Sequence, residues 1–168
     1  MHGANRTGRP FTGDYAGILL YRTLFAAGLA SAPVALAADD GLELRDARIV
    51  NAVKCVPPQN KPLPKEIACC NAYLAAELQQ LKSARVCLAL GRVAHDAVLM
   101  AHGLARARYP FGHGREHELT AAPRLVDSYH CSRYNTSTGR LTAVMFREVV
   151  SRAVTLAGLA LPRSWAVA

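Results

Sequence analysis

The 168-residue chain has no run of about 18 uncharged apolar residues, the length a helical membrane span requires. Acids are scarce, 12 against 20 lysines and arginines, and the formal net charge is +8. An excess of that sign suits a polyanionic partner. The basic residues are scattered rather than run together, so they do not form a disordered basic tail. A Gly-x-Ser-x-Gly elbow, a complete phosphate-binding P-loop and a paired-histidine metal motif are all missing, which removes the common hydrolase and nucleotide-transferase signatures. No internal repeat or low-complexity tract is present. Aromatic residues make up only 7% of the chain, so those set beside basic residues stand out.

Hydrophobic residues make up 51% of the chain, enough for one domain over residues 1–168 with a real core. Residues 17–37 are rich in alanine and leucine and end on Ala35-Leu36-Ala37, which resembles a leader with its cleavage site. Arg22 interrupts that run and Asp14 precedes it, while Gly28-Leu29 reads as a helix C-cap with its hydrophobic contact. A helix of a cytoplasmic protein is the better reading. In that compartment five cysteines point to metal or free thiols rather than disulfides. A monomer with no membrane contact is the default expectation.

Helix and strand patterns alternate. Residues 16–28 read as a helix, Ala47 to Val53 as a strand, and a proline-rich loop follows. Pro64 suits a helix first turn, with Ile67, Leu74, Leu78 and Leu81 at helical spacing behind it. Arg85 to Leu90 forms a second strand, 92–103 a helix, Arg124 to Tyr129 a third strand, and Leu141 to Leu156 a last helix. Strands separated by helices imply an α/β fold with a parallel sheet covered on both faces, and ligands in such sheets sit beyond the carboxyl ends of the strands. Those ends deliver Lys54-Cys55, Gly91-Arg92 and His130.

His130 leaves a strand two residues before Ser132, so its imidazole can meet a ligand while the serine reaches a phosphate. A ring bonded to a loop carbonyl is the plainer alternative. Arg133, Tyr134 and Asn135 follow, able to wedge, stack or bond a DNA strand. Gly8 to Asp14 precedes a helix, where backbone N–H groups can cradle an anion and Phe11 can stack on a base. Asp14 reads equally as a helix N-cap, and Phe11 equally as core. Asn51, near the end of the first predicted strand, can meet the N3–H and O4 of uracil together, or simply bond a turn. Asn60, in the proline-rich loop, is a weaker candidate of the same kind. Cys55 and Cys70 form a weak metal signal that needs two further thiolates, Cys69 faces another side of its helix, and Cys87 reads as core.

Gly3 to Asp14, Asn51 to Cys55 with Pro57-Pro58, Phe111-Gly112-His113-Gly114, and His130 to Thr142 together resemble the family 5 (type b) uracil-DNA glycosylases, relatives of the iron–sulfur family 4 enzymes. The resemblance runs over nearly the whole chain in order. It implies a three-layer α/β/α sandwich around a four-stranded parallel sheet, and hydrolysis of the N-glycosidic bond of uracil, or another deaminated base, flipped out of DNA. It implies that Phe11 stacks on the base, Asn51 reads it, His130 donates to its O2, and Asp14 positions the attacking water. Cys55 and Cys70 become two ligands of a [4Fe–4S] cluster. The family pattern has a glycine-rich central strand and a cysteine pair ahead of Gly3, so the expectation is a domain lacking both, with three strands. Cys131 stands where the family often has proline, which implies a looser loop and an oxidisable thiol. The alternative reading is a truncated, catalytically inactive DNA-binding fragment of such an enzyme.

Overall fold

A computed structural model describes residues 7–54, 63–120 and 123–166. In chain order its elements are α1 (Tyr15–Ala26), α2 (Pro64–Gln80), β1 (Val86–Leu90), α3 (Arg92–Ala101), β2 (Glu116–His117), β3 (Arg124–Ser128), α4 (Arg133–Ser137) and α5 (Ala143–Leu156). The chain divides into two compact units, Met1–Ile49 with Tyr129–Ala168, and Val50–Ser128. Among the described residues no helix is long and apolar enough to cross a membrane.

In the first unit α1 packs on α5. Helix α1 buries Ala16, Gly17, Leu20, Tyr21, Thr23 and Leu24, three- and four-residue steps that form one stripe. Helix α5 answers with Phe146, Val149, Val150, Ala153 and Val154. Each large side chain so buried contributes about 1.5–3 kcal/mol. Helix α1 stops where the sequence indicates. Ala27 is the C-cap, Gly28 takes a left-handed φ of 78°, and the Leu29 N–H returns to the Leu24 carbonyl at 2.8 Å.

In the second unit β1 and β3 pair in parallel, from Val86 opposite Arg124 to Leu90 opposite Ser128. Gly91, with φ of 96°, turns the chain sharply from β1 into α3, and its N–H is anchored on the Ser128 carbonyl at 2.8 Å. Helix α3 packs on β1, and α2 packs on α3. Ala89, Val98, Leu99, Leu119 and Leu125 form the core. Pro64 opens α2 as expected, and the Glu66 carboxylate accepts the Leu63 N–H at 2.7 Å.

Two expectations are corrected. Residues 47–53 form no strand, because an extended segment becomes one only when a neighbouring backbone completes the ladder. Asn51 therefore lies in irregular chain rather than at a strand end. Nor is the sheet wholly parallel: its order is β1-β3-β2, and the two-residue β2 runs antiparallel to β3. Strand β2 follows the tight 111–115 turn, too short for a period-two pattern to announce it. The fold is α/β with a small mixed sheet.

Thr142 caps α5, its Oγ1 accepting the Met145 N–H at 3.2 Å. Thr142→Ala should lower the free energy of denaturant unfolding by about 1 kcal/mol. No change in the unfolding midpoint contradicts this role.

Candidate functional site

The loop ahead of α1 is held from several directions. Arg9 pairs with Asp40 at 2.6 Å and donates to the Ala38 carbonyl at 2.7 Å. Asp40 also accepts the N–H groups of Leu42, Leu36 and Ala37. The Leu42 N–H, followed by the Arg9 guanidinium, holds its carboxyl well below the usual carboxylate range. The buried Tyr21 donates its hydroxyl to the Pro10 carbonyl at 2.9 Å, and burial pushes that hydroxyl above the ordinary tyrosine value.

Between these anchors Phe11 adopts a left-handed backbone, φ 57°, a strain of about 1–3 kcal/mol for a residue with a Cβ. Its carbonyl oxygen then lies where a side chain on Gly17 would go: a Cβ there would fall 1.8 Å from it. The Asp14 side chain caps α1, accepting the Gly17 N–H at 2.8 Å. The cap reading of Asp14 is thus realised, with one carboxylate oxygen committed to it.

This turn sets the Phe11 ring beside that of His130, centroids 5.7 Å apart and planes tilted by 31°. Among the described residues the His130 ring nitrogens make no hydrogen bond, so the loop-carbonyl alternative does not hold. Burial lowers the His130 pKa, with the Asp14 charge partly opposing it. The imidazole is therefore neutral near pH 7, with one N–H to donate. Asn135 steadies the segment, its side-chain amide donating to the His130 carbonyl at 2.8 Å. Ser132 caps the short α4 through the Asn135 N–H rather than standing open.

Arg133 and Tyr134 are exposed, Tyr134 at 70%, so the tyrosine ring belongs to the surface and not to the core. The Arg133 guanidinium lies 5.7 Å from the Tyr15 ring centre, and that of Arg140 lies 4.7 Å from Tyr129. An arginine–aromatic surface therefore flanks His130. Cys131 does not behave as the family comparison suggested. It is 0% exposed, and burial pushes its thiol up to about 12, leaving a poor nucleophile rather than an oxidisable group.

The structure thus brings Phe11, Asp14, His130, Ser132, Arg133, Tyr134 and Asn135 into one unit. Asn51 and Cys70 belong to the other unit; Asn51 is half-buried and Cys70 buried. The Lys54 N–H donates to the Cys70 Sγ at 3.4 Å, and Cys69 faces solvent. Cys55 and Asn60 lie outside the described residues. Nothing in the sequence pattern pointed to Gly17, Tyr21 or Asp40 as supports of the Phe11 loop, or to a buried cluster of His95, His117 and Asp127. For Asp40 the available signal was a lone acidic pair before Gly41, which ordinary turn chemistry also explains.

Residues 1–153 match the uracil DNA glycosylase superfamily model. A type-5 uracil-DNA glycosylase of Thermus thermophilus is 49% identical over 158 residues, covering 94% of this chain and 72% of that protein. The type-5 enzyme of Mycobacterium bovis is 44% identical over 160 residues, covering 94% and 60% respectively. That of Pyrobaculum aerophilum is 43% identical over 157 residues, covering 94% and 68%. The chain therefore spans between three fifths and three quarters of the length of these relatives.

Two outcomes follow from this geometry. Gly17→Ala must displace the Phe11 carbonyl and should destabilise the protein by about 1–3 kcal/mol, whereas Ile18→Ala on the exposed face should not. Equal unfolding midpoints for the two variants contradict it. In native protein treated with iodoacetamide, mass spectrometry should find Cys69 modified well before Cys131.

Proposed function

The chain belongs to the uracil-DNA glycosylase superfamily, and from that premise we propose that it excises uracil from DNA with His130 as the group that receives the departing base. The observation that carries the proposal is the His130 ring, neutral and uncommitted, beside the aromatic face of Phe11. A base must leave the duplex stack to lie against these two rings. Phe11 stacks on it, and its left-handed backbone fixes the ring before the base arrives.

The C1′–N1 bond breaks and its electron pair leaves with uracil, where the charge settles chiefly on O2. The sugar becomes cationic, and the oxygen of water bonds to C1′. One water proton is lost, and uracil is finally protonated on nitrogen. A donor aimed at O2 gains strength as the bond breaks, so it stabilises the transition state above the ground state. Asp14 positions the water with the oxygen left over from its capping bond. Arg133 and Tyr134 engage the strand, the tyrosine as a wedge, while Asn135 and Ser132 keep the His130 segment in shape. Asn51 reads the uracil edge, and Asn60 supports it. An inactive DNA-binding fragment is the less favoured reading, because Phe11, Asp14 and His130 are assembled together.

Cys55 and Cys70 supply two of the thiolates of a [4Fe–4S] cluster, which takes four. The donor set fits that half. The Cys70 sulfur is buried and receives the Lys54 N–H, as cluster sulfurs receive backbone amides, and Cys55 is next in the chain. Bound there, a cluster would tie the irregular segment around Lys54 to α2. Its chemistry is structural, and no step of the hydrolysis passes through it.

His130→Ala should slow uracil release from single-stranded oligonucleotide about a hundredfold, the loss of about 3 kcal/mol expected for one such donor. Asp14→Asn, which keeps the cap, should cost less. An unchanged rate in the His130 variant defeats the assignment. Purified protein should contain iron that Cys70→Ser removes, and equal iron in both proteins defeats the ligand assignment.

A further inference from the structure

The second unit buries a carboxylate that the excision chemistry does not use. Asp127, on β3, is 0% exposed. Its Oδ1 lies 2.7 Å from His95 Nδ1 of α3, and its Oδ2 lies 3.0 Å from His117 Nε2 of β2. The Gly112 N–H also donates to Oδ2, at 3.2 Å. His95 Nε2 faces the Tyr109 carbonyl oxygen at 2.8 Å, an atom that can only accept, so that nitrogen bears a hydrogen. The other ring nitrogen of His95, Nδ1, is left to the Asp127 carboxyl group.

These three residues could also be read as metal donors, since their ligand atoms lie within 4.8 Å of one another. The geometry favours hydrogen bonds. The two rings address different carboxylate oxygens at N–H···O distances, and a backbone N–H shares one of those oxygens.

The cluster grips one loop in particular. Besides the Gly112 and Tyr109 bonds, the Gly114 N–H donates to the Asp127 carbonyl at 2.8 Å, and the Asp127 N–H donates to the Arg115 carbonyl at 2.9 Å. The Phe111 ring rests edge-on against His95, centroids 5.6 Å apart. Over Phe111 lies the exposed guanidinium of Arg92, 5.2 Å from the ring centre. Arg92 makes no ion pair among the described residues. It follows β1 directly, so this cation stands at the carboxyl end of the strands, in a chain of charge +8.

We propose that Asp127 is a positioning residue for DNA binding: with His95 and His117 it holds Phe111 beneath the Arg92 guanidinium, so that the arginine receives a phosphate of the damaged strand. The inference rests on the DNA substrate of the proposed activity and adds a backbone contact to it. Stacking on Phe111 leaves the guanidinium edge and its fixed fork of donors for phosphate oxygens.

The test is affinity for a uracil-free duplex across a salt series, with excision rate and thermal unfolding measured on the same proteins. Arg92→Ala should weaken binding about tenfold and reduce the slope of log K against log salt by about one. Its excision rate at saturating DNA should fall by a smaller factor than its affinity. Phe111→Leu, which keeps apolar bulk and leaves the carboxylate untouched, should show the same pattern. Asp127→Asn replaces one of the carboxyl oxygens that the two rings and the Gly112 N–H address with an amide nitrogen. It should weaken binding similarly, and adding Arg92→Ala to it should cost little more. If Asp127→Asn fails to fold, Phe111→Leu decides the matter. Wild-type affinity and salt slope in Arg92→Ala or Phe111→Leu would overturn the proposal, as would one equivalent of zinc that His117→Gln removes. Because binding is read without uracil, a wild-type protein that binds but releases no base would overturn the activity reading alone.

Discussion

The candidate active site depends on the contact between the Phe11 carbonyl and Gly17. A left-handed phenylalanine is costly, and it persists here because nothing projects from residue 17 to push it away. The flanking bonds, Arg9 to Asp40 on one side and Tyr21 to Pro10 nearby, leave the loop no room to relax. What this arrangement secures is the direction of one aromatic ring. A stacking surface that is already in place spends no binding energy on its own ordering when a base arrives.

His130 is held in a complementary way. Its backbone is tied by Asn135 and the Ser132-capped turn, while its side chain keeps its donor capacity. Burial keeps the ring neutral, which suits a group meant to share a hydrogen with a developing anion. The same desolvation that tunes the imidazole silences the neighbouring Cys131 thiol. In the second unit a different solution appears: a buried carboxylate, saturated by two imidazoles and an amide, shapes a surface loop from beneath.

Much of this was legible in the amino-acid order, because local chemistry decides it. Pro64 at a first turn, Gly28 past a helix end and the apolar runs of β1 and β3 each act within a few residues. Phe11, Asp14 and His130 stood out because aromatic, acidic and imidazole groups are sparse in this chain. Residues 47–53 misled because apolar alternation describes a face and not a partner. Strand β2 escaped notice since two residues carry no period. Asp40 and Asp127 were hidden for another reason. Their importance lies in what they meet across long separations in the chain, 31 residues in the case of Arg9 and Asp40.

In the role proposed for His130, its neutral imidazole shares a hydrogen with the oxygen of a departed uracil. Nitrogen and proton NMR of the His130 ring, in a complex with abasic DNA and free uracil, tests this most directly. The expected spectrum is a neutral ring whose N–H proton moves far downfield when uracil is added. A ring whose signals stay as they were without uracil, or one that becomes fully protonated, would contradict it.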